Sequence, residues 1–472
     1  MTPKKAFAYP IQRARRLELA PTADRRAWWL LVMALGLIVM EGAIRKWVVG
    51  DADEPLKYLV YFSKDIIFGA VIFLPLRRPK PRALRVFRRW LLPGLILLIL
   101  GAGFSTFRDL NPVGAVLTLR AGVFLPLVAF YAVRRIENLS LRHIAWFISG
   151  LTILNFAMAV LQNSLPADHV LNRYASGSLN IAVMKSGVRA TGTFSYIAGL
   201  GVLSIVGIWA GMVLVSLGER LWHRITGWAT IACGFGCGLA AVSRAPIVIG
   251  AAMVLIWLLF SLGRFPSFFR NLFACALLLG LVASLEVAPT FVGLGEGLID
   301  RQENAGDSFT TRAVGQLEEC LTALSAAPLG AGLGTEQTAG NYFKGGVMRF
   351  TSFETQLPRL VMETGFLGLV GFLLICAGAI WALQAAKHDF ATARDRSALL
   401  ATQLLLLPLF YTNVIFNHTA SAFVWMIFAA VMAAEKKARS YDGGRGWPAT
   451  RIPVEARVQD TRASEARSYR NA

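Results

Sequence analysis

About a dozen apolar stretches recur along this chain, and clusters of arginine and lysine fall in every second connection between them. A stretch of roughly 20 apolar residues is long enough to cross a bilayer as a helix. Basic residues collect in the cytoplasmic connections of membrane proteins. The alternation therefore predicts an all-α, polytopic helical membrane protein with about 12 transmembrane helices.

The predicted spans leave two long connections, 163–195 and 293–356, on the side opposite the basic clusters. Because basic clusters mark the cytoplasmic side, both loops are predicted to face outward. The predicted spans are 27–44, 59–76, 90–104, 113–133, 143–161, 196–217, 228–242, 247–262, 272–291, 357–383, 399–415 and 420–434.

Both ends of the chain are polar and basic. Residues 1–26 are predicted to form a cytoplasmic tail before an uncleaved first span, and 435–472 a disordered cytoplasmic tail without periodicity. Residues 27–434 then form one transmembrane domain. The formal charge of +20 does not indicate nucleic acid, because the basic residues flank apolar segments as the positive-inside rule expects.

The second outer loop contains a predicted amphipathic helix lying over the membrane face. Asp307 or Ser308 is suited to cap it, and Pro328 with Gly330 ends it. The glycine-rich run 328–334 follows, as a structural turn or a phosphate cradle, although the Lys-Ser/Thr of a Walker loop is missing. The apolar residues at helical spacing are Phe309, Ala313, Val314, Leu317, Leu321 and Leu324.

Several ionisable residues lie in or beside predicted spans, where they are costly and commonly paired or functional. Glu41 and Arg45 have the i,i+4 spacing of a helix-end ion pair. Arg120 lies deeper, either with a structural partner or lining an outward-opening cavity. Arg244 lies at an outer membrane edge, and His418 before the last span is a further candidate.

Two loop arginines are candidate phosphate ligands, because arginine is permanently charged and binds phosphate with two donors. Arg189 precedes the sixth span. Arg312 lies in the first turn of the loop helix, where a cation opposes the helix dipole, so a helix-stabilising role explains it poorly. The alternative for both is a solvated surface charge.

The segment entering the tenth span carries Glu354, Arg359 and Glu363. One carboxylate is a candidate general base for a sugar hydroxyl, and Arg359 lies between the two. The alternative is a salt-bridge network among the three. No histidine and carboxylate cluster has the spacing of a metal site.

These segments resemble the O-antigen polymerase and ligase superfamily of bacterial polysaccharide assembly. A further segment, 41–47, is similar to one in exopolysaccharide polymerases of that superfamily. The ligases carry a histidine where Glu354 stands, which favours a polymerase. The matching residues are Arg189 through Phe194, then Ser243, Arg244 and Ala245, then Arg312 followed by 328–332, and finally Glu354 through 363–369.

The resemblance implies a GT-C-like fold and polymerisation of undecaprenyl-diphosphate-linked oligosaccharide repeat units on the periplasmic face of the inner membrane. It implies no cofactor, metal or nucleotide sugar, and it assigns the donor diphosphate to Arg189, Arg244 and Arg312, with Arg120 as a further candidate. The implied partners are lipid-linked donor and acceptor, membrane lipids, a chain-length regulator and a flippase. The alternatives are an O-antigen ligase and a secondary transporter, although no internal repeat of the transporter kind is visible.

Overall fold

A computed structural model describes residues 22–49, 54–73, 82–135, 141–173, 183–184, 187–261, 309–336, 356–386, 393–411 and 421–432. These residues are predominantly helical, and their strands are two short ones, β1 (Val183–Met184) and β2 (Gly187–Val188), paired antiparallel. Two π-helical segments, Ile44–Val49 and Arg120–Phe124, directly follow the helices that end at Ala43 and Leu119. The helices are α1 (Thr22–Ala43), α2 (Glu54–Phe73), α3 (Arg82–Thr106), α4 (Pro112–Leu119), α5 (Leu125–Arg135), α6 (Leu141–Ser164), α7 (Ile197–Leu217), α8 (Leu221–Ala240), α9 (Arg244–Ser261), α10 (Phe309–Ala326), α11 (Gln356–Ala386), α12 (Ala393–Tyr411) and α13 (Ser421–Met432).

Helices overlap every predicted span except 272–291, which lies outside the described residues. Within the described residues, four helical stretches are long and apolar enough to cross a membrane, and Ala245–Ser261 and Ser421–Met432 are shorter apolar helices. The chain is therefore a helical protein with the apolar helices of a membrane protein. The four long stretches are Pro112–Arg134, Leu141–Ser164, Ile197–Leu217 and Leu357–Ala386.

Helix α7 is the centre of the bundle. It contacts α6, α8, α9 and α12, and nearly all of its residues are buried. Glycine permits the close approach of α8, because a Cβ on Gly211 would lie 2.5 Å from the Gly227 carbonyl oxygen. The indole of Trp209 donates to the Thr402 hydroxyl at 3.1 Å, which ties α7 to α12.

Helices α3 and α11 make the most extensive helix–helix contact among the described residues, and glycine lines this contact too. A Cβ on Gly94 would lie 2.7 Å from the Gly371 carbonyl oxygen. A Cβ on Gly101 would lie 2.5 Å from the carbonyl oxygen of Thr364. Small residues let two helix backbones approach without hydrophobic drive, which is how helices commonly associate in membranes.

Helix α10 confirms that the predicted segment of this loop is helical, from Phe309 to Ala326. Leu321 is 59% exposed, whereas Cys320 and Ala323 are buried against the neighbouring α11. Small side chains at these positions allow the two helices to lie close, and Leu321 then points away from the contact. Within residues 309–317, burial is described only for Gly315.

Candidate functional site

The end of α1 brings two cations into the protein interior. Its backbone widens into the π-helical segment Ile44–Val49, and the side chains of Arg45 and Lys46 are both buried. Glu41 Oε1 lies 3.3 Å from Arg45 Nη1, so the predicted pair forms. The other carboxylate oxygen of Glu41 pairs with Lys64 of α2, whose ammonium also donates to the Tyr61 carbonyl at 2.6 Å.

Arg120 is the first residue of the second π-helical segment, and its side chain joins the same group of buried charges. Its Nε lies 2.6 Å from Asp65 Oδ1. The Tyr61 ring lies at the centre of the group, with its centroid 4.1 Å from Lys64 Nζ, 5.5 Å from Arg45 Cζ and 5.8 Å from Arg120 Cζ. Cations over an aromatic face are attracted by its quadrupole. The Tyr61 cluster consists of Glu41, Arg45, Tyr61, Lys64, Asp65 and Arg120.

The 189–195 loop enters the bundle between α1 and α6. Amide oxygens of α6 hold its backbone: Gln162 Oε1 accepts from the N–H groups of Thr191 and Gly192 at 3.0 and 2.8 Å. Asn155 Oδ1 accepts from the Thr193 N–H at 2.9 Å. These bonds satisfy a buried irregular backbone, which apolar surroundings would otherwise penalise.

The 189–195 loop contacts the end of α1 directly. Lys46 Nζ donates to the Thr191 hydroxyl and to the Gly192 carbonyl, both at 2.9 Å. Arg45 Nη1 lies 3.5 Å from Ser195 Oγ. A Cβ at Gly42 would collide with the backbone of Ser195, so the approach requires glycine. Two segments far apart in sequence, each singled out by the resemblance, therefore meet at one end of the bundle.

Lys46 lies just beyond the first predicted span, and burial lowers its pKa to about 7. Both of its hydrogen-bond acceptors are neutral oxygens. Neither acceptor loses its bond when the ammonium becomes an amine, because an amine still donates.

Arg189 lies at the end of α8. Its Nε donates to the Ala241 carbonyl at 3.2 Å, and its Nη2 donates to the Val242 carbonyl at 3.4 Å. A cation at a helix C-terminus is favourable. Val242 has φ 49°, a left-handed conformation that is rare for a β-branched residue, and the strained turn leads into Arg244 at the start of α9.

Glu363 of α11 is a further buried ionisable residue, outside the Tyr61 cluster. Its Oε1 accepts from the Glu336 N–H at 3.1 Å, and its Oε2 accepts from the Thr118 hydroxyl. The side chain of Glu363 has no exposed surface. The Glu363 centre consists of Glu363, Thr118 and the glycine-rich run 328–334 with Glu336.

A break in α11 at Gly365 shapes the Glu363 centre. Gly365 has φ 67° and ψ −163°, and the run packs into the break: the Ala331 N–H donates to the Met362 carbonyl at 2.7 Å. The run also bonds to the turn before α4, since the Asn111 N–H donates to the Leu333 carbonyl at 3.1 Å. The run therefore forms a backbone connection between the turn before α4 and the break in α11.

The structure describes the side chains of some predicted site residues and not of others. Arg45 and Arg120 meet in the Tyr61 cluster, while Arg189 contacts the turn before Arg244. The side chains of Arg244 and Arg312 lie outside the described residues, although both residues lie in the first turn of a helix. Glu354 and His418 lie outside them entirely. Arg359 is half-buried in the first turn of α11, and no described ion pair joins it to Glu363.

Sequence reasoning missed Lys64, Asp65 and Lys46. Lys64 and Asp65 lie within the predicted span 59–76, so their charge was a sufficient signal. No group of histidine, cysteine, aspartate and glutamate among the described residues is arranged to hold a metal ion.

No protein-family model matches this chain, and no curated protein matches it. The resemblance to O-antigen polymerases and ligases stays a prediction from the residues quoted for it.

Proposed function

We propose that the chain is a GT-C-like membrane glycosyltransferase with about 12 transmembrane helices. It polymerises undecaprenyl-diphosphate-linked oligosaccharide repeat units on the periplasmic face of the bacterial inner membrane. Both termini are cytoplasmic in this proposal, and the lipid-linked donor and acceptor are its substrates.

One observation carries the proposal: the segments 41–47 and 189–194 are in contact. Lys46 bonds to Thr191 and Gly192, and Arg45 reaches Ser195 at 3.5 Å. Both segments lie at the predicted outer ends of their spans, so the contact gathers arginine and lysine where a lipid diphosphate would arrive. Cationic side chains at the outer ends of the spans suit a substrate that has an apolar tail and an anionic head group.

Arg189, Arg244 and Arg312 hold the diphosphate in this proposal. The bonds from Arg189 to carbonyl oxygens are long, at 3.2 and 3.4 Å, so a phosphate oxygen is a competitive acceptor. The arginines stabilise the charge that develops on the leaving diphosphate, worth about 3–4 kcal/mol for a well-aligned donor.

The transferred sugar exchanges one bond for another. The acceptor hydroxyl oxygen attacks the anomeric carbon of the donor, the bond from that carbon to the diphosphate oxygen breaks, and the hydroxyl proton passes to a carboxylate. Glu354 is the favoured base, with Arg359 near it in sequence. Glu363 is a weaker candidate, since both of its oxygens accept hydrogen bonds from the protein.

Substitution of the arginines tests the proposal. Arg189→Ala and Arg312→Ala are expected to preserve expression and to abolish long polymer in a strain that lacks the native gene. Arg108→Ala is the matched control, because Arg108 is exposed in the turn after α3. Normal chain length in the Arg189 and Arg312 variants would refute diphosphate binding by these arginines.

The product that accumulates after gene deletion separates a polymerase from a ligase. Loss of a polymerase leaves single lipid-linked repeat units, whereas loss of a ligase leaves long lipid-linked polymer. Accumulation of long polymer would replace the proposal with the ligase alternative.

A further inference from the structure

Arg120 is the least satisfied buried group of the described residues. Its side chain is 3% exposed, and Nη1 and Nη2 have no hydrogen-bond partner. The ion pair with Asp65 involves only Nε. Arg45 Nε likewise has no partner. A buried donor without an acceptor is costly, and more so when it is charged.

The charges of the Tyr61 cluster do not balance. Three cations, Arg45, Lys64 and Arg120, face two carboxylates, Glu41 and Asp65. All three cations are at most 4% exposed. Buried charges are normally paired, and among the described residues one positive charge of the cluster has no carboxylate partner.

We propose that the Tyr61 cluster binds one singly charged oxyanion, a carboxylate or a phosphodiester, against the free Nη edge of Arg120. A guanidinium edge presents two parallel N–H groups that match the two oxygens of such an anion. One negative charge balances the cluster. A diphosphate carries more charge than the cluster can neutralise, so this site is distinct from the one assigned to Arg189.

The oxyanion site is next to the proposed diphosphate site rather than part of it. Arg45 belongs to the cluster and also reaches Ser195 of the 189–195 loop at 3.5 Å. The anion can come from an acidic sugar of the glycan or from a phospholipid headgroup. The inference needs neither the polymerase nor the ligase activity, because it follows from the charges alone.

The test measures thermal unfolding of the full chain, purified in nonionic detergent and stripped of lipid. The probes are sodium glucuronate, which carries a sugar carboxylate, and phosphatidylglycerol, which carries a phosphodiester. Glucose, phosphatidylcholine and sodium chloride of equal ionic strength are the controls. A rise of about 3 °C that depends on probe concentration is expected with one or both probes.

The outcome with each probe identifies the source of the anion. A rise with glucuronate indicates an acidic sugar, and a rise with phosphatidylglycerol over phosphatidylcholine indicates a lipid headgroup. Either result supports the site. No rise with either probe, or an equal rise with chloride, overturns it.

Two variants link the shift to Arg120. Asp65→Asn with Arg120→Gln removes one charge of each sign, so it avoids an unpaired carboxylate and is expected to lose the shift. Arg120→Lys keeps the charge without the paired N–H edge, and is expected to weaken binding about tenfold. Arg108→Gln is expected to keep the shift. A full shift in either Arg120 variant contradicts the proposal.

Discussion

The Tyr61 cluster and the Glu363 centre are both buried and charged, yet they differ in how completely their polar atoms are satisfied. The same helical stretch serves both: Thr118 donates to Glu363, and Arg120 pairs with Asp65. Glu363 receives two neutral donors that fill both of its oxygens. Arg120 keeps two nitrogens without acceptors.

The difference separates a structural charge from one that awaits a ligand. A fully satisfied buried network makes the surrounding backbone rigid, whereas an unsatisfied one retains binding energy for a partner of opposite charge. We therefore expect variants of the Glu363 centre to affect stability before activity. Variants of the Tyr61 cluster should respond to added anion.

The largest effect is expected from Gly365→Ala. The backbone at φ 67° and ψ −163° is essentially restricted to glycine, and a Cβ there would lie 2.5 Å from the Pro328 carbonyl oxygen. The expected loss of stability is about 5 kcal/mol, seen as low yield and early thermal unfolding. Gly103→Ala is the control, because a Cβ there meets nothing within 4 Å. Equal stability of the two variants would mean that the break in α11 is not needed.

Glu41→Gln should have the next largest effect, a loss of about 3–5 kcal/mol in the free energy of unfolding. It leaves Arg45 and Lys64 without their shared carboxylate. Adding Lys64→Met to Glu41→Gln restores the original charge excess and should recover most of the loss. Thermal unfolding of the single and double variants measures the coupling. If the double variant is the less stable of the two, charge balance does not govern the Tyr61 cluster.

Two substitutions of Glu363 should differ in their free energy of unfolding by about 1–3 kcal/mol. Glu363→Ala leaves the Glu336 N–H without an acceptor and should lower the melting temperature. Glu363→Gln keeps one acceptor for that N–H, and its amide can donate to the Thr118 hydroxyl, so it should be nearly as stable as the wild type. Polymer length measured in the Glu363→Gln strain should be normal. If the Glu363→Gln protein is fully stable but long polymer disappears, Glu363 is the base.

The sequence predicts the helices well, because apolar length and helical spacing are local properties. The Glu41–Arg45 pair follows from i,i+4 spacing and forms at 3.3 Å. Helix α10 follows from its spacing too, whereas the burial of the small residues Cys320 and Ala323 depends on packing that the spacing alone does not indicate. The two π-helical segments carry no local signal of this kind.

The partners of the site residues depend on contacts between distant segments. Nothing near Arg120 in sequence indicates that Asp65 is its partner. The glycine-rich run indicates a turn, but its bond from Asn111 to Leu333 depends on where α4 and α11 lie. Lys64 and Asp65 could have been recognised as charges within a span, and only their pairing required the structure.

The smallest effect is expected for Lys46, which is a buried cation with neutral acceptors. It should therefore behave like the Glu363 centre. Its pKa is lowered from 10.5 to about 7, so between these pH values the unfolded chain binds more protons than the folded chain. Stability should therefore rise with pH above 7 and be unaffected by this group below it. Between pH 7 and pH 8 the gain is about 1 kcal/mol. Lys46→Met should remove this part of the pH dependence, measured as the difference in unfolding temperature from the wild type at each pH. A slope that is unchanged in Lys46→Met would mean that Lys46 stays charged in the fold, as a second excess cation beside the Tyr61 cluster.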